Sequence, residues 1–298
     1  MARIYSVCNQ KGGVGKTTTA VNIAAFLAAL GKRTLVVDLD SQSNATSALG
    51  ISKDKVTQSV YNVMVEGVHP ASVIMKTAHS DLFVIPSNAS LAGAEVELVS
   101  EMAREFKLRE ALRLISDEYD FIIIDTPPSL SVLTINALSA TDEVIIPIQC
   151  EYFALEGLSQ LLKTIDLVRV NLHPDLKIGG IVFTMYDARL ILNNEVLEEV
   201  KDHFPDLVFN ATIPRNVRLG EAPSHGMPIL YYDATSSGAI AYENVTKEII
   251  ERDLRQNPDK AEIVRLEEPF HGPGTGGDVK EEEQCQTQNA GLAEALER

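Results

Sequence analysis

No apolar run in the 298 residues approaches the ~18 residues that a membrane span needs; runs such as residues 144–148 stop after five. No apolar signal region precedes the first strand-like pattern, which starts directly after Met1-Ala-Arg. Cysteine is scarce. Cys8, Cys150 and Cys285 lie too far apart for a CxxC metal site, and their odd number argues against a disulfide framework. Cys8 and Cys150 fall in apolar runs and read as small hydrophobes. Basic residues are outnumbered, 26 Lys and Arg against 42 Asp and Glu, and the net charge of −16 argues at first against nucleic acid. From Glu251 onward, however, twelve acidic residues face six basic ones, so the tail supplies six of the sixteen net charges. Net charge governs solubility and long-range steering, and a local basic stripe can still hold DNA. These shortages exclude a membrane-spanning or disulfide-stapled protein and leave DNA binding open. A cytoplasmic chain is expected.

With 45% hydrophobic and 23% charged residues, the chain can bury one large core or two small ones. Strand-like apolar runs at 4–9, 34–39, 82–85, 121–124, 144–148, 178–184 and 207–213 alternate with helical patterns. The helical patterns cover 17–30, 90–115, 129–140, 154–171, 192–203 and 238–255, with Gly31 stopping the first. Continuous apolar strands between amphipathic helices predict an α/β fold, a mostly parallel, doubly wound sheet covered on both faces. Residues 1–255 form this domain. After Arg255 the pattern gives way to Gly-Pro-Gly and Lys-Glu-Glu-Glu runs, and 256–298 reads as a disordered acidic tail.

The first strand-to-helix turn reads Gln10-Lys11-Gly12-Gly13-Val14-Gly15-Lys16-Thr17-Thr18. It is a variant P-loop, K-G-G-x-G-K-[ST], with Gln10 where the ordinary motif has glycine and with one additional lysine. Its glycines let backbone N–H groups curl around phosphate, and the helix N-terminus adds positive potential. Lys16 is placed to reach the β- and γ-phosphates of ATP, and the Thr17 hydroxyl to ligate Mg²⁺. Asp125 closes the apolar strand 121–124 at the position of a carboxylate that holds Mg²⁺ through water. Asp38 and Asp40 end the second strand. Hydrolysis of a phosphoanhydride asks for positioning and charge neutralisation, so two carboxylates, a lysine and Mg²⁺ suffice.

Over residues 2–250 the chain resembles the deviant Walker A ATPases, specifically the ParA/Soj partition family. The resemblance is carried by Lys11-Gly-Gly-Val-Gly-Lys-Thr-Thr, Val37-Asp-Leu-Asp40 with Gln42 and Asn44, Ile124-Asp-Thr-Pro-Pro-Ser129, Gln149-Cys-Glu-Tyr, Thr184-Met-Tyr-Asp and Ile213-Pro-Arg-Asn-Val-Arg218. It implies that Lys11 reaches into the partner subunit's nucleotide site in an ATP-bound sandwich homodimer, with Gly12 letting the two loops approach. It implies that Asp40, a metal residue together with Thr17 and Asp125, also positions the attacking water. It further implies that Met185, Pro214 and Arg215 line the adenine loops, and that Arg189 and Arg218 contact the backbone of non-specific double-stranded DNA. A ParB-type protein would stimulate hydrolysis, and the protein would be nucleoid-associated with no membrane partner. Ser41 stands where the family has proline, which removes a φ constraint from the segment after Asp40. The P-loop begins at residue 10, without the DNA-reading extension of longer plasmid relatives, so the short chromosomal branch is expected. The alternative is a MinD-like division-site ATPase, which needs a basic amphipathic C-terminal helix where this chain has acidic residues.

Overall fold

The computed structural model describes residues 1–151 and 153–256. The tail expected over 256–298 therefore lies, Gln256 apart, outside the described residues. Seven strands form one sheet: β1 Arg3–Val7, β2 Thr34–Asp38, β3 Met75–Lys76, β4 Leu82–Ile85, β5 Phe121–Asp125, β6 Glu143–Gln149 and β7 Lys177–Thr184. The helices are α1 Lys16–Ala29, α2 Asn44–Ala48, α3 Val60–Met64, α4 Leu91–Glu97, α5 Lys107–Arg113 and α6 Val132–Ala140. They continue with α7 Ala154–Asn171, α8 Ile191–His203, α9 Val217–Glu221, α10 Ile229–Tyr232 and α11 Ser237–Gln256. The strand order is β3-β4-β2-β5-β1-β6-β7, and every pairing is parallel except the short antiparallel edge strand β3.

Alternation along each strand divides the core between two faces. Leu35, Val37, Ile122 and Ile124 face α3 to α6, and Val144, Ile146 and Ile148 face α7 and α8. Helix α6 joins the two clusters, giving Ala137 to one and Leu138 to the other. The intervening residues Val36 and Ile123 point to the opposite face, where α1 packs on β1, β2 and β5 with α11 against it. Because α1 is covered by the sheet on one side and by α11 on the other, it is apolar nearly all round. Its end is a Schellman turn: Gly31 at φ +72° donates to the Ala28 carbonyl, and Lys32 donates to the Leu27 carbonyl.

The fold is the predicted doubly wound sheet; short elements such as β3, α2, α3, α9 and α10 carry no sequence expectation, and two expected elements form differently. The expected helix over 90–115 is broken between α4 and α5, with Ala103 left-handed at φ +53°. Asn136, buried on α6, holds the break by donating to the Arg104 carbonyl and accepting from the Leu108 N–H. The expected strand over 207–213 does not form: Val208 makes an isolated bridge to Ile181, and Pro214, just past its end, makes another to Tyr186. Between them the Asn210 and Ala211 N–H groups donate to the Glu248 carboxylate of α11, at 2.9 Å each, so α11 takes donors a ladder would use.

Candidate functional site

The parallel strands β1, β2 and β5 end in register, with Val7 beside Asp125 and Asp125 beside Asp38. Their C-terminal ends feed the glycine loop 10–15 and the 38–43 turn, so one edge of the sheet gathers the sequence-predicted groups. The loop is tied down at both ends. Asn9 donates to the Pro147 carbonyl and accepts from the Lys11 N–H, while the Thr184 hydroxyl donates to the Val14 carbonyl. Gly13 and Gly15 are left-handed, at φ +76° and +85°, which a side chain would strain. Gly15 caps α1, which leaves the first-turn N–H groups of Lys16, Thr17 and Thr18 facing the loop.

Lys16 is buried. Its ammonium donates to the Lys11 carbonyl at 2.9 Å, across the loop it would share with a phosphate. Burial pulls its pKa down, opposed by the nearby charges of Asp125 and Asp40. Asp125 is fully buried and neither carboxylate oxygen has a hydrogen-bond partner. The Thr17 hydroxyl stands near it, close enough to favour the charged form yet outside hydrogen-bonding geometry. Burial first, then repulsion from Asp38, raises the Asp125 pKa well above the carboxylate range. A buried, unpaired carboxylate beside a threonine hydroxyl and a lysine fits a bound cation with phosphate. Among the described residues no cluster of three His, Cys, Asp or Glu side chains makes a self-sufficient metal site. The set therefore suits Mg²⁺ that arrives with the nucleotide, which keeps water and phosphate oxygens in its shell.

The two carboxylates of the second strand are treated differently. Asp38 is closed off: its Oδ2 accepts from the Thr46 N–H at 2.8 Å and the Thr46 hydroxyl at 2.6 Å. Burial pushes its pKa up to about 6 against these bonds. Asp40 lies at the site edge, with its Oδ1 accepting from the Gln42 N–H at 2.9 Å. That turn is closed by the Asp40 side chain and by the Ser43 N–H donating to the Asp40 carbonyl. The constraint absent at Ser41 is thus replaced by local hydrogen bonds.

The remaining predicted residues divide into two groups. Lys11 is half exposed and ion-paired with Glu151, a partner in the Gln149-Cys-Glu-Tyr segment whose role the sequence does not disclose. Gly12 stands in open space, with only Pro128 Cβ at 4.0 Å from where its own Cβ would be. Met185, strained at φ +52°, precedes Tyr186, and Tyr186 bridges to Pro214, so the two expected adenine loops lie side by side. Arg215 is exposed beside them. Arg189 and Arg218 follow these same loops and are engaged by carboxylates, Arg189 by Asp187 and Arg218 by Glu221. Cys8 and Cys150 are buried, and burial raises both thiol pKa values, that of Cys150 to about 11. Sequence reasoning missed Thr46, Thr184 and Glu151 as parts of the site, although their segments carry the family motifs.

A glycine loop on a helix N-terminus, a buried lysine and an unpaired strand-end carboxylate define a P-loop ATPase of the deviant Walker A class. A family model described as an AAA domain matches residues 2–178. The chain is 55% identical over 249 residues to the sporulation initiation inhibitor protein Soj of Bacillus subtilis, covering 84% of this chain and 98% of Soj. It is 51% identical to the chromosome partitioning protein ParA of Myxococcus xanthus, over 87% of this chain and 91% of that protein. Among solved structures it resembles the cobyrinic acid a,c-diamide synthase of Mycobacterium smegmatis with bound ADP and magnesium. That match has a TM-score of 0.75 and 38% identity, over 87% of this chain and 97% of the other. The chain belongs to the Soj/ParA family of partitioning ATPases. Among the described residues no helix is long and apolar enough to cross a membrane.

Proposed function

We propose that the protein is an ATP-switched DNA-segregation ATPase. Its ATP-bound form is a sandwich homodimer that holds double-stranded DNA without sequence preference, and a ParB-type partner stimulates hydrolysis to release it. The observation that carries the ATP-dependent half is the buried Asp125 carboxylate, unpaired beside Thr17 and Lys16. Mg²⁺, when bound with the nucleotide, neutralises charge on the β- and γ-phosphate oxygens. Thr17 and Asp125 would hold it, with Asp40 beside them. Lys16 exchanges its bond to the Lys11 carbonyl for phosphate oxygen, and the first-turn N–H groups orient the chain of phosphates. Asp40 orients the attacking water from the edge of the site. Met185, Pro214 and Arg215 seat the base, and Arg189 and Arg218 supply the phosphate-backbone contacts.

Lys11 supports the dimer half of the reading. It sits on an open loop next to a glycine whose own fold does not require one, which suits close approach by a second subunit. The reading places the protein in the cytoplasm on the nucleoid. Co-sedimentation with random-sequence duplex DNA tests it, with ATP, ADP or no nucleotide, for wild type, Lys11→Ala and Asp40→Ala. Binding is expected only with ATP, lost in Lys11→Ala and prolonged in Asp40→Ala. Nucleotide-independent sedimentation, or binding to lipid vesicles in place of DNA, would overturn the proposal.

A further inference from the structure

Both arginines assigned to DNA are already occupied. Arg189 grips Asp187 through two parallel contacts, Nε to Oδ1 at 2.9 Å and Nη2 to Oδ2 at 2.7 Å. This fork-to-fork geometry is the one a guanidinium also uses for a phosphate. Arg218 donates through Nη1 to Glu221 Oε2 at 2.9 Å and has Asp233 at 3.5 Å from its Nε. The Tyr232 hydroxyl donates to the same Glu221 oxygen at 3.1 Å, which orients that carboxylate toward the arginine. The arginine side chains are 88% and 53% exposed, so neither pair is sealed from a competing anion.

We propose that Asp187 and Glu221 are resident stand-ins for DNA phosphate, each occupying the guanidinium that DNA must win by displacing a carboxylate. The inference rests on the reading of Arg189 and Arg218 as the DNA contacts. Exposed pairs of this kind are weak, so a phosphate can replace the carboxylate; they still subtract from whatever affinity the arginine supplies. The charge on each mask is secure. Hydrogen bonds from Arg189 hold the Asp187 pKa down to about 2, and Arg218 lowers that of Glu221. The masks also sit on the nucleotide loops. Asp187 lies two residues after the strained Met185, and Glu221 ends α9, whose N-cap Asn216 adjoins Arg215. A device of this form keeps a single subunit off DNA while letting the doubled arginine set of a dimer succeed. Two arginines must leave their carboxylates in the one case, four must do so at one shared ligand in the other, and gains on a shared ligand multiply.

The test is a pair of double-mutant cycles on the full chain. Binding to random-sequence duplex is measured with a slowly hydrolysed ATP analogue and Mg²⁺. Asp187→Asn and Glu221→Gln are each expected to tighten binding roughly two- to fivefold, the range that exposed ion pairs span. The gain of Asp187→Asn should vanish in an Arg189→Ala background, and that of Glu221→Gln in Arg218→Ala. Glu195→Gln, which removes a charge from exposed α8 without releasing either arginine, should change affinity less. No gain from either substitution, or gains that persist when the arginines are absent, would overturn the mask while leaving the DNA face standing. Arg189→Ala and Arg218→Ala proteins that bind DNA like wild type would instead overturn the DNA face, and the mask with it.

Discussion

The two ends of the same sheet handle buried charge in opposite ways. At the N-terminal ends of the strands, Glu143 and Asp253 are buried, and both meet Arg3, at 2.8 Å and 2.7 Å. Arg252 beside them donates to the carbonyls of Gly179, Leu207 and Val208 and lies over the Phe209 ring at 4.3 Å. At the C-terminal ends, Asp125 and Asp38 stand side by side, and among the described residues neither is ion-paired and Asp125 has no hydrogen-bond partner. One end is closed by its own residues. The other holds an electrostatic deficit that a cation and a phosphate would relieve, which marks it as the working end.

Removing the working end's lysine should produce the largest effect. Lys16→Ala deletes the positive charge that lies near Asp125 and Asp40 and replaces a phosphate contact by nothing. Nucleotide affinity, measured by isothermal titration calorimetry, is expected to fall about 100-fold, as for loss of a charge-assisted hydrogen bond. Affinity within threefold of wild type would show that the loop holds nucleotide in another way.

Parallel amide substitutions at the two ends should move stability in opposite directions. Glu143→Gln strips a charged partner from partly buried Arg3 and should cost about 2 kcal/mol in a denaturant titration, as loss of a charge-assisted hydrogen bond does. Asp125→Asn removes a buried carboxylate that has no hydrogen-bond partner and stands beside Asp38. The nucleotide-free protein is therefore expected to melt higher than wild type near neutral pH, while Mg²⁺-dependent nucleotide binding is lost. Destabilisation by both substitutions would erase the contrast between the ends.

Acidity offers a gentler probe of the same deficit. Folding raises the Asp38 pKa to about 6 and raises that of Asp125, both chiefly through burial. For a group whose folded pKa lies above its unfolded value, the stabilising contribution is complete below the unfolded pKa. It is lost as pH rises through the folded one. The nucleotide-free protein should thus gain stability as pH falls from 7.5 toward 6. An Asp38→Asn, Asp125→Asn double variant should show a flatter profile over that range. Equal slopes in the two proteins would show that these carboxylates do not set the pH response.

This contrast was half legible in the sequence. The glycine loop, Lys16 and Asp125 could be read because contiguous chemistry follows an apolar strand, and strand ends share one edge in a parallel sheet. The two expected elements that formed differently have a common cause. Asn136 breaks the 90–115 helix from thirty residues away, and Glu248 takes the 210–211 donors across nearly forty, so neither partner is visible in a local window. Thr46 on Asp38, Thr184 on Val14 and Glu151 on Lys11 escape for the same reason. Each is a side chain chosen by tertiary proximity, and its residue type alone is equally at home in a helix cap or on a surface.

The smallest expected effect lies inside the glycine loop and separates what the fold needs from what the dimer needs. Gly13 and Gly15 are left-handed, so alanine at either is strained whatever space surrounds it, at about 1 kcal/mol. Gly12 has no left-handed backbone, and an added Cβ would meet only Pro128 Cβ at 4.0 Å, an ordinary van der Waals contact. Gly12→Ala should accordingly leave the melting temperature of the nucleotide-free protein nearly unchanged, within about 0.5 kcal/mol of wild type, as for a surface substitution. The single-subunit fold thus supplies no reason for glycine there. If the reason is close approach by a second copy of the loop, Gly12→Ala should still bind ATP while failing to dimerise, as read by size-exclusion chromatography with light scattering. A Gly12→Ala protein that dimerises with ATP like wild type would show that the loops do not meet at this residue. One that melts lower than Gly13→Ala would show that the loop's own conformation demands glycine at position 12.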